Sequence, residues 1–358
     1  MKKTLSVILS ASMVLTLAAC GGSSSQNAAP ATGTAAATEA TSAFENLEPV
    51  ELLVADSAAP STAIVLFENS VAEKISEKTG GKLTMDIHSG GELGGDADLI
   101  RQLQSGDIDA LGCQIAPAVA FIPELAVFDL PMVFAKYDGD KIEKVLNGSG
   151  EFRTAINKAY ESNSLHLLGF LQNATYRLTS SSVDLPDLAS YTGLQIRTME
   201  NANHMAFWSA IGANPTPLAW AEVYFALQSG LIAAEENSAD TIVNANLNEV
   251  QKYIACTNHI LYCNQFSMNQ NSWDELDPAY QAVLEEAIKE ATEEIRSQLA
   301  DIDVNSKKTL EEKGMTVIEY PTTFFDEVLA IDAVKELYQK IDGETNGLGS
   351  VLQKELAE

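Results

Sequence analysis

The sequence predicts an α/β fold made of two units, on three observations. Residues 50–113 read strand, helix, strand, helix, strand, the grammar of parallel strands joined by crossover helices. A second series of strands and helices follows over 164–229. Beyond both, residues 278–313 form one helical stretch. At ~1.5 Å per residue it is ~54 Å long, against ~30 Å for one domain, so it lies along two.

The first strand is 50–55. In the helix after Pro60, Ile64, Phe67, Val71 and Ile75 fall on one face, and Gly80 with Gly81 stops it. Leu83, Met85 and Ile87 alternate in a strand over 82–88. A turn at 90–95 leads to a helix at 96–104 and a strand at 108–113. Strands are expected again at 164–171 and 195–198, and helices at 202–211 and 219–229, the last with Trp220, Val223, Tyr224 and Leu227 on one face. Asp277 is a natural N-cap for the long helix and Pro278 suits its first turn. Residues 50–358 suffice for two domains.

The chain begins Met1-Lys2-Lys3, followed by an apolar run from Leu5 to Ala19 and then Cys20-Gly21. Basic residues, a hydrophobic segment and small residues before a cut site make a secretory signal peptide. Leu17-Ala18-Ala19-Cys20 also resembles the lipobox of bacterial lipoproteins. That resemblance makes Cys20 the first mature residue and a lipid anchor; an ordinary leader with a chance cysteine is the alternative. The apolar run is short for a membrane span. Residues 20–49 are rich in Gly, Ser, Ala and Thr and read as a flexible tether. The expected location is extracytoplasmic, tethered to the cell membrane.

The formal net charge is −28, from 22 basic and 50 acidic residues. Such a field disfavours nucleic acid and anionic lipid as partners, leaves a small ligand open, and also serves plain solubility. Cys113, Cys256 and Cys263 remain after Cys20. Their odd number and apolar surroundings suggest buried free thiols, with a Cys256–Cys263 bridge as the alternative. The four histidines show no metal-ligating pair, and neither a nucleophile elbow nor a phosphate loop is present. Binding rather than catalysis is expected, with no cofactor and no metal.

Arginine is scarce. Arg101, Arg153 and Arg296 fall in helical stretches, where a solvated face is the simple reading. Arg177 and Arg197 sit in or beside strands. In Leu194-Gln195-Ile196-Arg197 the aliphatic residues share one face and Arg197 points the other way, offering a planar fork to a carboxylate. Ligands of open α/β sheets gather at such strand ends. An ion pair with Glu200 is the alternative.

The ordered blocks Thr79-Gly80-Gly81-Lys82-Leu83, Gly91-Glu92-Leu93-Gly94-Gly95-Asp96, Gln104-Ser105-Gly106-Asp107-Ile108-Asp109 and Phe128-Asp129-Leu130-Pro131 are followed by Gly193-Leu194-Gln195-Ile196-Arg197, Gly212-Ala213-Asn214-Pro215, Glu236-Asn237 and Thr257-Asn258-His259. With them, residues 50–320 resemble the DctP-type solute-binding subunits of tripartite ATP-independent periplasmic (TRAP) transporters. The resemblance implies a periplasmic-binding-protein-like fold, two α/β domains around a ligand cleft with a long bracing helix. The expected division is 1–19 signal peptide, 20–49 tether, 50–174 plus 263–302 first domain, and 175–262 plus 303–358 second domain, hinged near 175–177 and 263–265.

The same resemblance implies capture of an organic-acid anion, a C4-dicarboxylate or a sugar acid such as a uronate, for delivery to a TRAP membrane permease. Arg197 takes the family's carboxylate-binding position, Asn237 that of its partner, and Trp220 that of an aromatic against the ligand. Asp96 and Gln114 fall where some members contact polar groups. Without the resemblance Trp220 would be core, Asp96 a helix cap, Asn237 a turn residue and Gln114 a strand-end surface residue. Many members carry a second arginine where this chain has Tyr176, with Arg177 next to it; either a local bulge brings Arg177 into contact or Tyr176 supplies a hydroxyl. A ligand-binding subunit of a sensor system and a cell-surface carbohydrate-active enzyme are the rival functions.

Overall fold

The computed structural model describes residues 43–172 and 174–358. The leader, Cys20 and the tether up to residue 42 lie outside the described residues. The folded chain begins before residue 50, because Phe44 is buried and stacks on Tyr280 with ring centroids 5.7 Å apart.

Eleven strands among the described residues form two sheets. In chain order they are β1 Val50–Ala55, β2 Leu83–His88, β3 Ala110–Gln114, β4 Leu165–Leu171, β5 Leu178–Ser181, β6 Gln195–Thr198, β7 Asn214–Pro217, β8 Ala234–Asn237, β9 Tyr253–Ala255, β10 Asn264–Asn269 and β11 Thr316–Ile318. The first sheet runs β2-β1-β3-β10-β4 and the second β11-β9-β5-β8-β6-β7. The parallel pairings β1–β2 and β1–β3 follow the expected crossover pattern. Neither sheet is parallel throughout. In the first, β10 lies antiparallel between β3 and β4, because the chain returns from the second sheet without a crossover helix. In the second, β5 is antiparallel to both β8 and β9.

The helix Ala63–Thr79 buries Ile64, Phe67, Val71 and Ile75, the face expected from their spacing, and ends at Gly80 in the left-handed conformation (φ 63°). The long helix is Pro278–Glu312, with the Asp277 side chain accepting from Ala279 N at its start. Tyr280, Leu284, Ile288 and Ile295 join the core on the Ala63–Thr79 side of the first sheet, whereas Leu310 joins Leu178, Val223 and Ile254 in the core of the second. One rigid rod therefore touches both units. Lys74–Glu294 (2.9 Å) and Lys78–Glu290 (3.0 Å) add half-exposed ion pairs between the two helices, worth little beside the apolar contact.

Three C-terminal helices, Thr322–Ala330, Asp332–Glu344 and Leu348–Ala357, complete the chain. Val334, Leu352 and Leu356 share a core with Leu146, Phe152 and Ile156 of the first unit and with Tyr191 and Trp208 of the second. The chain after the long helix thus packs back onto the first unit as well as the second.

Two segments cross between the sheets side by side. Tyr262 N donates to Thr175 O (2.8 Å), Arg177 N donates to Ile260 O (2.9 Å), and Tyr176 bridges Leu261 antiparallel. Cys113, Cys256 and Cys263 are free and buried, so the Cys256–Cys263 alternative is not realised. Of the helical arginines only Arg101 is mainly in solvent. Arg153 donates to the carbonyls of Leu146 (3.2 Å) and Leu167 (3.1 Å), and Arg296 to that of Gln172 (3.2 Å); both clamp strand and helix ends instead of decorating a solvated face. Among the described residues no helix is long and apolar enough to cross a membrane.

Candidate functional site

A cavity opens between the two sheets. Asp96, Gln114, Arg197, Trp220 and Asn237 all line it, five of the seven residues singled out in the sequence. Each reaches it from a strand end or the first turn of a helix. Asp96 opens the helix Asp96–Ser105, Gln114 ends β3, and Trp220 opens the helix Trp220–Ser229. Arg197 and Asn237 stand on β6 and β8, which pair in parallel, with Arg197 level with Glu235.

Arg197 is the centre of the arrangement. Its side chain is 2 % exposed. Nε and Nη2 both donate to the carbonyl of Leu218, at 2.9 and 2.7 Å. Its guanidinium carbon lies 5.7 Å from the ring centre of Trp220. Nη1 is buried and has no hydrogen-bond partner. The alternative pairing with Glu200 does not form. Burial draws the guanidinium pKa down and the Glu236 and Glu235 carboxylates oppose it, yet an arginine keeps its proton. The site therefore presents a fixed, desolvated cation with one nitrogen uncommitted, and a carboxylate oxygen is the acceptor that suits it best.

The opposite wall is acidic and polar. Ser57 donates to Asp96, whose carboxyl pKa burial raises against the opposing pull of Ser57 and Arg197. Gln114 is held at both ends, its Oε1 accepting from Arg177 Nη1 and its Nε2 donating to Tyr262 Oη at 3.1 Å. Gly112, on β3, also lines the cavity, and a Cβ there would meet Glu68 Oε1 at 2.0 Å, so only glycine fits this position as the chain is packed.

Arg177 and Tyr176 do not line the cavity. The Arg177 guanidinium grips Glu236, with Nε on one carboxylate oxygen, Nη2 on the other (3.1 Å) and Nη2 also on the Glu236 carbonyl (2.7 Å). It touches the cavity lining through Gln114 and through Tyr262, whose ring centre lies 5.8 Å from the guanidinium carbon. Tyr176 donates its hydroxyl to Phe134 O at 2.9 Å, away from the cleft. Of the two residues weighed for a second ligand contact, Arg177 is thus bonded to a buried acid and Tyr176 to a backbone carbonyl.

Sequence reasoning missed the layer behind the cavity. Glu235 and Glu236 are neighbours on β8, both 0 % exposed, and face opposite sides of the sheet. Glu236 meets Arg177, His259 Nε2 (3.3 Å) and His204 Nδ1 (3.6 Å). Burial alone would raise its pKa, but Arg177 and the two imidazoles hold it well below the usual carboxylate range. His204 also meets Asp129 at 3.1 Å, and the two acids push its pKa up to about 9 against the effect of burial. Glu236, Asp129 and His259 lie within the family blocks, but nothing in a chain with 50 acidic residues marks these acids as interior. Among the described residues no group of three His, Cys, Asp or Glu is placed to hold a metal.

Comparison with known proteins adds the family context. Residues 54–344 match DctP, bacterial extracellular solute-binding protein family 7. The chain is 26% identical over 280 residues to a solute-binding protein of Verminephrobacter eiseniae, covering 78% of this chain and 81% of that one. It is 27% identical over 244 residues to the 2,3-diketo-L-gulonate-binding periplasmic protein YiaO of Escherichia coli, covering 68% and 73%. The structure superposes on a TRAP periplasmic solute-binding protein from Sulfitobacter with bound β-D-galacturonate, with a TM-score of 0.78, 25% identity and coverage of 86% and 99%.

Proposed function

Because the chain belongs to bacterial extracellular solute-binding protein family 7, the DctP family, we propose that it captures the anion of an organic acid in this cleft and delivers it to a TRAP membrane permease. The ligand is a sugar acid such as a uronate, or a C4-dicarboxylate. The similarity to a galacturonate-bound protein and to a diketogulonate-binding protein supports this class. The observation that carries it is the buried, unpartnered Nη1 of Arg197 in the wall of the cavity.

In this reading Nη1 binds the ligand carboxylate. Asn237 bonds the same group, Trp220 packs on the carbon skeleton, and Asp96 with Gln114 reads hydroxyl groups. Leu218 O fixes the guanidinium plane before the ligand arrives, so little ordering cost remains to be met on binding. The two units form the lobes of the cleft. The paired crossings at 175–177 and 260–262 act as the hinge, and the long helix as a brace. Cys20 carries the lipid that holds the mature protein at the extracytoplasmic face of the membrane.

A thermal-shift screen against carboxylic acids tests the ligand class, since a ligand that binds only the folded state raises the melting temperature. Uronates, aldonates or C4-dicarboxylates are expected among the hits; a response only to uncharged compounds would contradict the reading. Solution scattering tests closure, with a smaller radius of gyration expected at saturating ligand and an unchanged profile counting against a hinge.

A further inference from the structure

Glu235 stands beside Arg197 without bonding to it. The two residues are level in the parallel β6–β8 register and project to the same face of the sheet. Both are buried, Glu235 completely. Glu235 Oε1 accepts from Ser180 Oγ at 2.7 Å, and Oε2 meets Asn237 Nδ2 at 3.4 Å. Asn237 itself lines the cavity, so the carboxyl lies one residue behind it.

From the opposite wall Asp96 also faces Arg197, with its carboxyl accepting from Ser57; the other titratable groups around this face are engaged elsewhere. On β8, Glu236 points to the opposite side and is held by Arg177. From the helix Trp220–Ser229, Glu222 is exposed and the Tyr224 hydroxyl donates to Glu249. Asp240, on the helix Ala239–Asn244, is bonded by Ser238. On the long helix Asp303 pairs with Lys307 at 2.9 Å, and Cys256 beside β9 donates to Glu319. Val223, Leu227 and Ile242 supply the apolar cover. Arg197, with Nη1 uncommitted, and Glu235 are thus register partners on one face of the sheet.

We propose that ligand capture is coupled to proton uptake at Glu235: the incoming carboxylate takes over as the counter-charge of Arg197, and Glu235 accepts one proton from solvent as it does so. This rests on the reading of Arg197 as the carboxylate site. Two carboxylates beside one guanidinium in a dry cleft cannot both stay ionised without a large cost. The proton leaves the net charge of the site unchanged on binding. Glu235 is well placed to titrate, because burial already pushes its pKa up to about 7, with Ser180 and Arg197 opposing. It acts through Arg197, as a residue that sets the pH range of binding.

Calorimetry at pH 7.5 in phosphate and in Tris, buffers of different ionisation enthalpy, counts the protons exchanged. The probes are D-galacturonate, D-gluconate and succinate, all fully ionised at this pH. The parent is expected to take up a fraction of one proton, and its affinity to fall by up to about tenfold per pH unit above pH 7. Glu235→Gln, which keeps the shape and contacts of the protonated acid, is expected to bind with no proton uptake and a flat profile. A parent that binds with no buffer dependence, or a Gln variant with the parent's slope, would overturn the inference and leave the Arg197 reading standing. Failure of all three anions to bind the parent would overturn both.

Discussion

Arg177 and Glu236 form a buried ion pair behind the lining of the ligand cavity, with Nε and Nη2 of the guanidinium on the carboxylate and Nη2 also on the Glu236 carbonyl. The pair fixes Gln114 from behind and leaves Arg197 as the cation of the cleft.

Arg177→Ala is therefore expected to act on stability first. It strands Glu236 without its main counter-charge, and breaking a buried pair in this way costs ~3–5 kcal/mol. Urea unfolding of the variant should show a large drop in midpoint. An unchanged midpoint with lost ligand affinity would move Arg177 into the binding site.

His204, held between Asp129 and Glu236, has its pKa raised to about 9 in the folded protein from an ordinary value of 6.5. A raised folded-state pKa contributes stability that is complete below 6.5 and lost as pH rises through about 9. The shift corresponds to about 3 kcal/mol. Unfolding free energies of the parent should fall between pH 6.5 and 9, and His204→Gln should flatten that window. An equal slope in the variant would remove His204 as its source.

Glu68 is buried with neither carboxylate oxygen hydrogen-bonded, and burial together with the neighbouring Asp56 holds its pKa well above the ordinary 4.5. The folded state thus keeps a proton that the unfolded chain releases, and stability declines as pH rises above 4.5. Glu68→Gln removes this penalty. Its unfolding free energy should exceed the parent's at neutral pH, with the difference growing by up to about 1.4 kcal/mol per pH unit. A less stable variant at pH 7 would show that the carboxyl has partners that Gln cannot replace.

The parts of this molecule that were legible in the sequence share a physical cause. Leu83–His88 is legible because Leu83, Met85 and Ile87 alternate, and Ala63–Thr79 because Ile64, Phe67, Val71 and Ile75 repeat at helical spacing. The strands Ala234–Asn237 and Asn264–Asn269 have every residue buried but are largely polar, with only Phe266 and Met268 alternating in the second, so hydrophobic pattern marks them weakly. The antiparallel insertion of β10 was hidden for the same reason. Arg197 stood out as a guanidinium on a strand in an acidic chain. Glu235, Glu236 and His204 did not, because an acid or an imidazole looks the same in sequence whether it faces water or another buried charge. Asn237, Trp220 and Gln114 entered through family resemblance and not through any local pattern.

Cys20, which lies outside the described residues, is expected to carry lipid. Cys20→Ser should lose incorporation of a labelled fatty acid and leave the membrane fraction. Retention in that fraction as firmly as the parent would contradict anchoring.

The central claim is that Arg197 supplies most of the affinity and that the ligand must present a carboxylate. Calorimetry on the parent, Arg197→Ala and Arg197→Lys with the best-binding acid and its methyl ester tests it most directly. Truncating one partner of a desolvated charge pair costs ~2–5 kcal/mol, or roughly 30- to 3000-fold in Kd at 1.4 kcal/mol per decade. Lysine should recover only part, since an ammonium lacks the planar fork that Leu218 O and the ligand share, and the ester should bind poorly to all three proteins. Affinity of the alanine variant within about threefold of the parent, or equal binding of acid and ester, would contradict the account.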